Sequence, residues 1–321
     1  MAPSRKPDHT EQVRAVAADP KAPATSLVAA SWRRSLALHG LDPAERRLPE
    51  TVTSGELEAH REAMGGLVSV AQPVLDRLFQ SVGDAGCCVL LTDRHGVAIE
   101  RRGAPNDDDI FHSWRLWPGG VWSEEREGTN GIGTCLAENR PLIIQRDQHF
   151  HSRNTGLTCI DAPIYDHLGQ LAGALDVSSA RRDLTPGMAG LIAAALAEAA
   201  RTIETLNFNQ AFSTARIVLA ASGEKAGVSL LAVDRHDLVI GATRQARLSF
   251  AITDDRIAAQ LPAADLLNAA PVSAPGDLVD AERGAIRRAL ARADGNVSAA
   301  ARSLGISRAT LHRKLNRLGL H

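Results

Sequence analysis

Apolar residues recur along this chain with changing periods, and the changes divide it. Residues 1–24 are polar, carry Pro, Lys and Asp, and show no period, so a flexible arm is expected there. From 26 to 39 and from 54 to 82 the apolar spacing is helical; the second stretch carries Leu57, Met64, Leu67, Val70, Val74, Leu75 and Leu78. After residue 84 short apolar runs alternate with turns. CCVLLTD (87–93) and GVAIERR (96–102) predict a hairpin around Arg94-His95-Gly96. CIDAPIYD (159–166) and QLAGALDVSS (170–179) predict another around His167-Leu168-Gly169. Between them lie the turn-rich GTNGIGTCLAENRP (128–141), a short strand from Leu142 to Gln145, and a polar loop to Thr158. Strand pairs flanking a helix and loops predict an α+β unit with one antiparallel sheet.

The helical period returns at 185–210, where Ala189, Ile192, Leu196, Ala199, Ile203 and Leu206 form a seam about three heptads long. Such a seam fits packing on its own domain equally well; a dimer helix that transmits a signal is the favoured reading. LLAVDRHDLVIGA (230–242) repeats the strand, Asp-Arg-His turn and strand of LLTDRHGVAIE (90–100). A helix over 243–250 follows, as in a truncated PAS-like module. Ile286, Ala289, Leu290 and Ala293 then predict a support helix over 281–294. The last residues predict two short helices. Small residues Ala299, Ala300 and Ala301 lie on the first, and Gly305 supplies a permissive backbone at the turn. Ser307 is a good N-cap. The final helix sets Leu311, Leu315 and Leu318 on one face and Arg308, Thr310, Arg313, Lys314 and Arg317 on another.

Charge sharpens that last element. The chain has a net charge of −1, yet residues 281–321 hold nine Arg/Lys against two Asp/Glu, so the remainder is acidic. A plain helical hairpin with a solvated basic face is the rival reading. Segregation of basic charge into one terminal module favours nucleic acid as the partner. In a major groove Arg308 and Arg313 would read base edges, Thr310 would touch base or backbone, and Lys314 and Arg317 would neutralise phosphate.

No apolar run approaches the roughly 18 residues of a membrane span, and the first residues lack the apolar core of a signal peptide. A cytoplasmic, nucleoid-associated protein without a membrane partner is expected. The four cysteines show no metal-type spacing, and Cys87-Cys88 read as buried strand residues. GTNGIGT lacks the Lys-Ser/Thr of a phosphate loop and opens no βαβ unit. Its Gly128, Gly131 and Gly133 read as turn and close-packing positions, with Asn130 capping the next helix. No catalytic residue, cofactor or metal is expected, and no enzyme.

Aromatic residues are only 3 % of the chain, yet Phe111, Trp114, Trp117 and Trp122 crowd into twelve positions. With Asn130, His149 and Cys159 they are the candidate small-molecule site; covering a sheet edge is the alternative. His112, His149 and His151 with Asp147 have metal-ligand chemistry, but a solvated loop is the preferred reading.

Two resemblances follow. The tail resembles the Fis-type helix-turn-helix of bacterial regulators, matching at Gly295, Asn296, Ser298, Ala300, Gly305, Ile306, Ser307, Arg308, Thr310, Leu311, Arg313, Lys314 and Leu315. This implies double-stranded operator DNA bound by a homodimer, with the support helix forming much of the dimer contact. The implied DNA-binding set is Asn296, Ser298, Ser307, Arg308, Thr310, His312, Arg313, Lys314 and Arg317.

SWRRSLALHGLDP, WSEEREGTNGIGTCLAENRPL and DQHFHSRNTGLTCIDAPIYDHLGQLAGALDVSS resemble the GAF sensor of acetoin- and glycerol-catabolism-type regulators. Gln148 stands where that pattern has Glu, and Asp161 where it has a small or hydroxyl residue. Such regulators usually carry a central ATPase; this sequence contains no G-x-x-x-x-G-K-[ST] and no stretch long enough for that domain.

The expected chain is multidomain α+β: a flexible arm (1–24), a helical segment (25–83), a GAF-like sensor (84–182), a connecting helix (183–212), a partial PAS-like module (213–270), a linker (271–276) and an all-α Fis-type domain (277–321). Its expected function is that of a regulator whose small-molecule effector controls a dimeric helix-turn-helix without ATP hydrolysis, with RNA polymerase as a candidate further partner. The alternatives are a nucleoid-type architectural protein and a GAF-based redox enzyme, which would need a thiol of depressed pKa.

Overall fold

Asp8 opens the first helix with a capping box: its side chain accepts from the helix's first turn while Glu11 reaches back to the Asp8 N–H. In the computed structural model, which describes residues 8–220, 229–267 and 278–320, this helix is α1 (His9–Ala18). Val13 and Ala17 bury against Trp32 and Phe150. The expected flexible arm is therefore corrected from residue 9 onward. Its few apolar residues are too sparse to set up a visible period, but they share one helix face. The expected linker 271–276 lies outside the described residues.

α2 (Ala22–Thr25) and α3 (Leu27–Ala37) follow, the latter capped by the Ser26 hydroxyl. The single helix expected over 54–82 is two, α4 (Ser54–Ala63) and α5 (Gly66–Val82). Gly65 between them sits at φ +56°, where a residue with a Cβ is strained.

The chain divides into two compact units, one of residues 1–165 with 171–204, the other of 166–170 with 205–321. The first is built on β1 (Cys87–Asp93), β2 (Ala98–Arg102), α6 (Asp108–Ser113), α7 (Glu124–Glu127), α8 (Gly131–Glu138), β3 (Leu142–Gln145), β4 (Thr158–Tyr165), β5 (Leu171–Ser179) and α9 (Pro186–Ala211). The strands form one antiparallel sheet in the order β2-β1-β5-β4-β3. Alternation sends Cys87, Val89, Leu91, Ile160, Ala162, Ile164, Leu175 and Val177 to one face, under α5 and α9.

This packing corrects the favoured reading of the heptad seam. Ala189, Ile192, Leu196, Ala199 and Ile203 are all buried in the unit's own core, and only Leu206 is exposed. Burying a large aliphatic side chain is worth about 1.5–3 kcal/mol, so pairing the seam with a second copy would strip the sheet of its cover. A heptad seam and a domain-packing face have the same spacing, which is why periodicity did not separate them.

The second unit contains the antiparallel sheet β6 (Arg216–Leu219), β7 (Leu230–Val233) and β8 (Val239–Ala242). α10 (Arg244–Phe250), α11 (Asp254–Ala258) and α12 (Ala263–Leu267) complete its first core. The repeated Asp-Arg-His turn has a physical basis. Asp93 Oδ1 accepts from the His95 and Val97 N–H groups, both at 2.9 Å, and Asp234 Oδ1 accepts from His236 and Leu238 at 2.8 and 2.9 Å. A second core joins α13 (Leu278–Arg292), α14 (Val297–Ser303) and α15 (Arg308–Leu318) through Ile286, Ala289, Ala300, Ala301, Leu311, Leu315 and Leu318.

Candidate functional site

The C-terminal helices are set by their caps. Asn296 Oδ1 accepts from Ser298 N and Ala299 N at 3.0 and 3.1 Å and starts α14. Gly305, at φ +68°, turns the chain, and Ser307 Oγ accepts from Thr310 N at 3.1 Å to start α15. The Ser307 hydroxyl also bonds that of Thr310 at 2.8 Å. Asn296, Ser307 and Thr310 are thus partly committed to holding the helices. Arg308, His312, Arg313 and Arg317 are exposed on α15, and Arg302 on α14. Glu282 of α13 grips Lys314 through one carboxylate oxygen and Arg317 through the other. Those two cations hold its carboxyl below the usual carboxylate range, the bond to Lys314 contributing most.

In the first unit the second sheet face meets a core of Cys88, Leu90, Ala98, Phe111, Leu116, Trp122, Ile132, Leu157 and Cys159. Two of the Trp N–H groups in the candidate small-molecule site already have backbone partners. Trp122 Nε1 donates to Arg115 O at 3.0 Å and Trp114 Nε1 to Arg153 O at 3.3 Å. Trp117 lies under the Arg101 guanidinium, 4.2 Å from the ring centroid. Phe111 also lines a surface groove of about 360 Å³ beside Asp107 and Arg181.

α8 lies over this face because two of its glycines permit it. Asn130 Oδ1 accepts from Gly133 N at 2.8 Å, and Asn130 Nδ2 donates to Gly128 O at 2.8 Å. A Cβ on Gly133 would fall 2.3 Å from the Glu124 backbone N, and one on Gly131 2.0 Å from Asp161 Oδ2. α3 braces the same loop: Ser31 Oγ lies 2.6 Å from Thr129 Oγ1 and donates to Glu124 Oε2 at 2.6 Å, while Trp32 Nε1 donates to Gln148 O at 2.9 Å. The SWRRS motif is therefore a clamp on the glycine-rich loop.

Beneath α8 the sheet is polar. Asp161 on β4 and Asp176 on β5 are direct cross-strand partners, both buried. Ser178 Oγ lies 2.9 and 3.1 Å from the two Asp176 oxygens and 3.2 Å from Cys159 Sγ. His149 Nε2 lies 3.4 Å from the same sulfur, and its Nδ1 lies 3.0 Å from Arg146 O. Burial lowers His149 to about 4, so its ring is neutral near pH 7. Desolvation raises all four thiols, which is opposite to what a redox thiolate needs. Among the described residues no group of three or more His, Cys, Asp or Glu side chains is placed to hold a metal. No helix of the described residues is long and apolar enough to cross a membrane.

Residues 4–202 match the family described as MimR, N-terminal domain, and residues 278–318 match Bacterial regulatory protein, Fis family. The chain belongs to the MimR N-terminal domain family. The acetoin catabolism regulatory protein of Cupriavidus necator is 31 % identical over 227 residues, 70 % of this chain and 34 % of that one. The propane 2-monooxygenase operon transcriptional activator MimR of Mycolicibacterium smegmatis is 31 % identical over 193 residues, 60 % of this chain and 32 % of that one. The chain spans about a third of the length of these two relatives. The Escherichia coli DhaR(N)–DhaL complex shares the fold, with a TM-score of 0.51 at 16 % identity, over 71 % of this chain and 77 % of that one.

In this MimR-family chain Phe111, Trp122 and Cys159 share one core, Asn130 caps the helix above it, and His149 contacts Cys159 from the side. Trp117 stands apart with His112 and Arg101. The sequence reading missed the roles of Asp161, Asp176 and Ser178. The signal for the first was present, since Asp161 stands at a position where the resembled pattern has a small or hydroxyl residue.

Proposed function

We propose that this protein is an effector-responsive, sequence-specific transcriptional regulator that binds operator DNA as a homodimer and works without ATP hydrolysis. The observation that carries the reading is the capped helix pair α14–α15, which exposes Arg308 and Arg313 on a Fis-type segment of a chain whose N-terminal part is MimR-type. The relatives are named as regulators of catabolic operons, which supports a small metabolite as effector. Leu278 and Val279 at the start of α13, like Met188 and Leu191 on α9, are exposed apolar residues that suit a dimer contact. With two half-sites one helical turn apart, small changes in the spacing of the paired tails alter DNA affinity. The module of residues 213–270 serves as a PAS-like spacer in this scheme.

Genomic selection followed by fluorescence anisotropy tests the reading. Arg308→Ala should weaken the selected operator by about 1–3 kcal/mol and relax base choice, with little change on random DNA. An unchanged operator preference would remove Arg308 from base reading. Glu282→Gln addresses the cations expected on phosphate. Freeing Lys314 and Arg317 should tighten binding to every sequence and steepen the salt slope by roughly one to two. Weaker binding instead would make Glu282 a brace that aims the two side chains.

A further inference from the structure

The two Asp-Arg-His turns are alike beyond their backbone. In each, the Arg Nε donates to the next histidine's Nε2 at 3.3 Å, between Arg94 and His95 in the sensor and between Arg235 and His236 in the second unit. Each turn also meets a helix from elsewhere in its own unit. In the sensor that helix is α4: His60 Nδ1 lies 2.7 Å from Asp93 Oδ2, and the His60 ring stands edge-on to His95 with centroids 6.0 Å apart. In the second unit it is α13, the support helix of the Fis-type segment, whose Arg288 Nη1 donates to the His236 carbonyl at 2.8 Å.

α13 has two neighbours to satisfy. Ile286 and Ala289 enter the core shared with α14 and α15. Gly284, Arg288 and Arg292 recur every four residues, which sets them along a different face of the helix. Gly284 is buried, and a Cβ there would stand 3.6 Å from His236 Nδ1. Arg288 is only 8 % exposed, and the His236 carbonyl is the hydrogen-bond partner that the described residues give it. A guanidinium is costly to bury against one carbonyl; a helix that served α14 and α15 alone would be better off with Leu at this position. Arg292 reaches Asp265 of α12 through Nε and Nη2, with Nη2 2.6 Å from Oδ1. α12 is in turn tied to the same turn, since Ala263 N donates to Asp237 O at 2.9 Å. Turn, α12 and α13 thus close a three-sided ring of contacts.

We propose that the turn at residues 234–237 is the seat of α13, and that Arg288 and Arg292 are positioning residues for DNA reading: through them the PAS-like module fixes the direction from which α14 and α15 meet the operator. Neither residue has to touch DNA for this. With α13 unseated, each helix-turn-helix hangs on a tether and adjusts to half-sites at other separations; with α13 seated, one separation is favoured. This inference rests on the reading of the protein as a dimer on paired half-sites.

The test uses the full chain and the selected operator, with its half-sites also moved apart in steps of one base pair up to about half a helical turn, roughly five base pairs. The parent should lose about tenfold or more in affinity at the worst spacing. Arg292→Ala and Asp265→Asn break the exposed contact with little risk to folding. Each should cut that loss to about threefold, as a flexible tether would, while a single half-site is bound within about twofold of the parent. Asp265 is acidic, so its variant cannot be removing a phosphate contact. Exchanging the charges, Arg292→Asp together with Asp265→Arg, should restore the spacing preference. Arg288→Ala should relax spacing in the same way and raise hydrogen exchange over residues 234–238 as well as 284–292. Variants that keep the parent's spacing preference would overturn the positioning role, as would exchange in the turn that is indifferent to Arg288→Ala. Loss of single half-site binding in Asp265→Asn would also overturn it, by making the contact a structural need of the DNA-binding helices themselves. A parent with no spacing preference at all would instead bring down the reading of a dimer on paired half-sites.

Discussion

Gly133→Ala should strongly destabilise the sensor while leaving DNA binding in place. The new methyl carbon would lie 2.3 Å from the Glu124 backbone N, 2.6 Å from Trp122 O and 2.7 Å from Ser123 C. These are main-chain atoms of the neighbouring loop, so no rotamer change relieves the overlap. α8 would have to lift from the sheet and lose the Asn130 cap, which bonds this same residue's N–H. An expected cost of about 4–5 kcal/mol places the change among the most damaging single substitutions. At about 2–4 °C per kcal/mol for a unit of this size, the sensor's thermal transition should fall by roughly 10 °C or more. Calorimetry of the full chain, followed by anisotropy on operator DNA, separates the two effects. A transition within 2 °C of the parent would mean that the loop gives way and that the close approach is not required.

Leu311→Ala should do the reverse. Leu311 is fully buried at the centre of a small core with Ile286, Ala289, Ala300, Ala301, Leu315 and Leu318. Truncating a buried Leu costs about 2–5 kcal/mol, depending on how far the cavity collapses. Ala300 and Ala301 are short and on helix backbones, so they cannot fill the space. A unit this small has little stability to lose. Operator binding should vanish while the sensor transition stays where it was. Leu311→Met, which keeps the volume, should cost less than about 1.5 kcal/mol and retain binding. Operator affinity within threefold of the parent in Leu311→Ala would show that α15 does not depend on this core.

The two variants exploit the parts of the chain that were easiest to read. Both sensor hairpins were legible because two short apolar runs joined by a tight turn ending in Gly have few alternatives. Asn130 and Ser307 were legible as caps because a short polar side chain before an apolar helix run has one economical use. Other features needed three dimensions. The break at Gly65 was hidden because Gly within a helical period is tolerated as often as it terminates one. The α1 helix was hidden because Val13 gains its meaning from Trp32 and Phe150, far away in sequence. A strict register from the His167-Leu168-Gly169 turn would pair Asp161 with Leu175; the irregularity between Ile164 and Tyr165 shifts the ladder and sets Asp161 opposite Asp176. That they are buried together depends on α8 covering the face. The pairing of Lys314 and Arg317 with Glu282 was invisible for a related reason: net charge counts cations without saying which are already engaged.

The commitment of the α9 seam to its own sheet bears on how this sensor could be recombined. Ile203 is the last seam residue buried in that core, whereas Leu206 and the residues from Asn209 to Ala211 are exposed. A chimaera that joins this sensor to a foreign output should keep the helix through Ile203, since an earlier cut uncovers the sheet. Beyond that point the helix serves the second unit, where Phe208 is buried with Leu230 and Ala232, and it is open to redesign once that unit is replaced. Each residue inserted turns whatever follows by about 100° and advances it by about 1.5 Å, so a short insertion series would scan the phase between input and output.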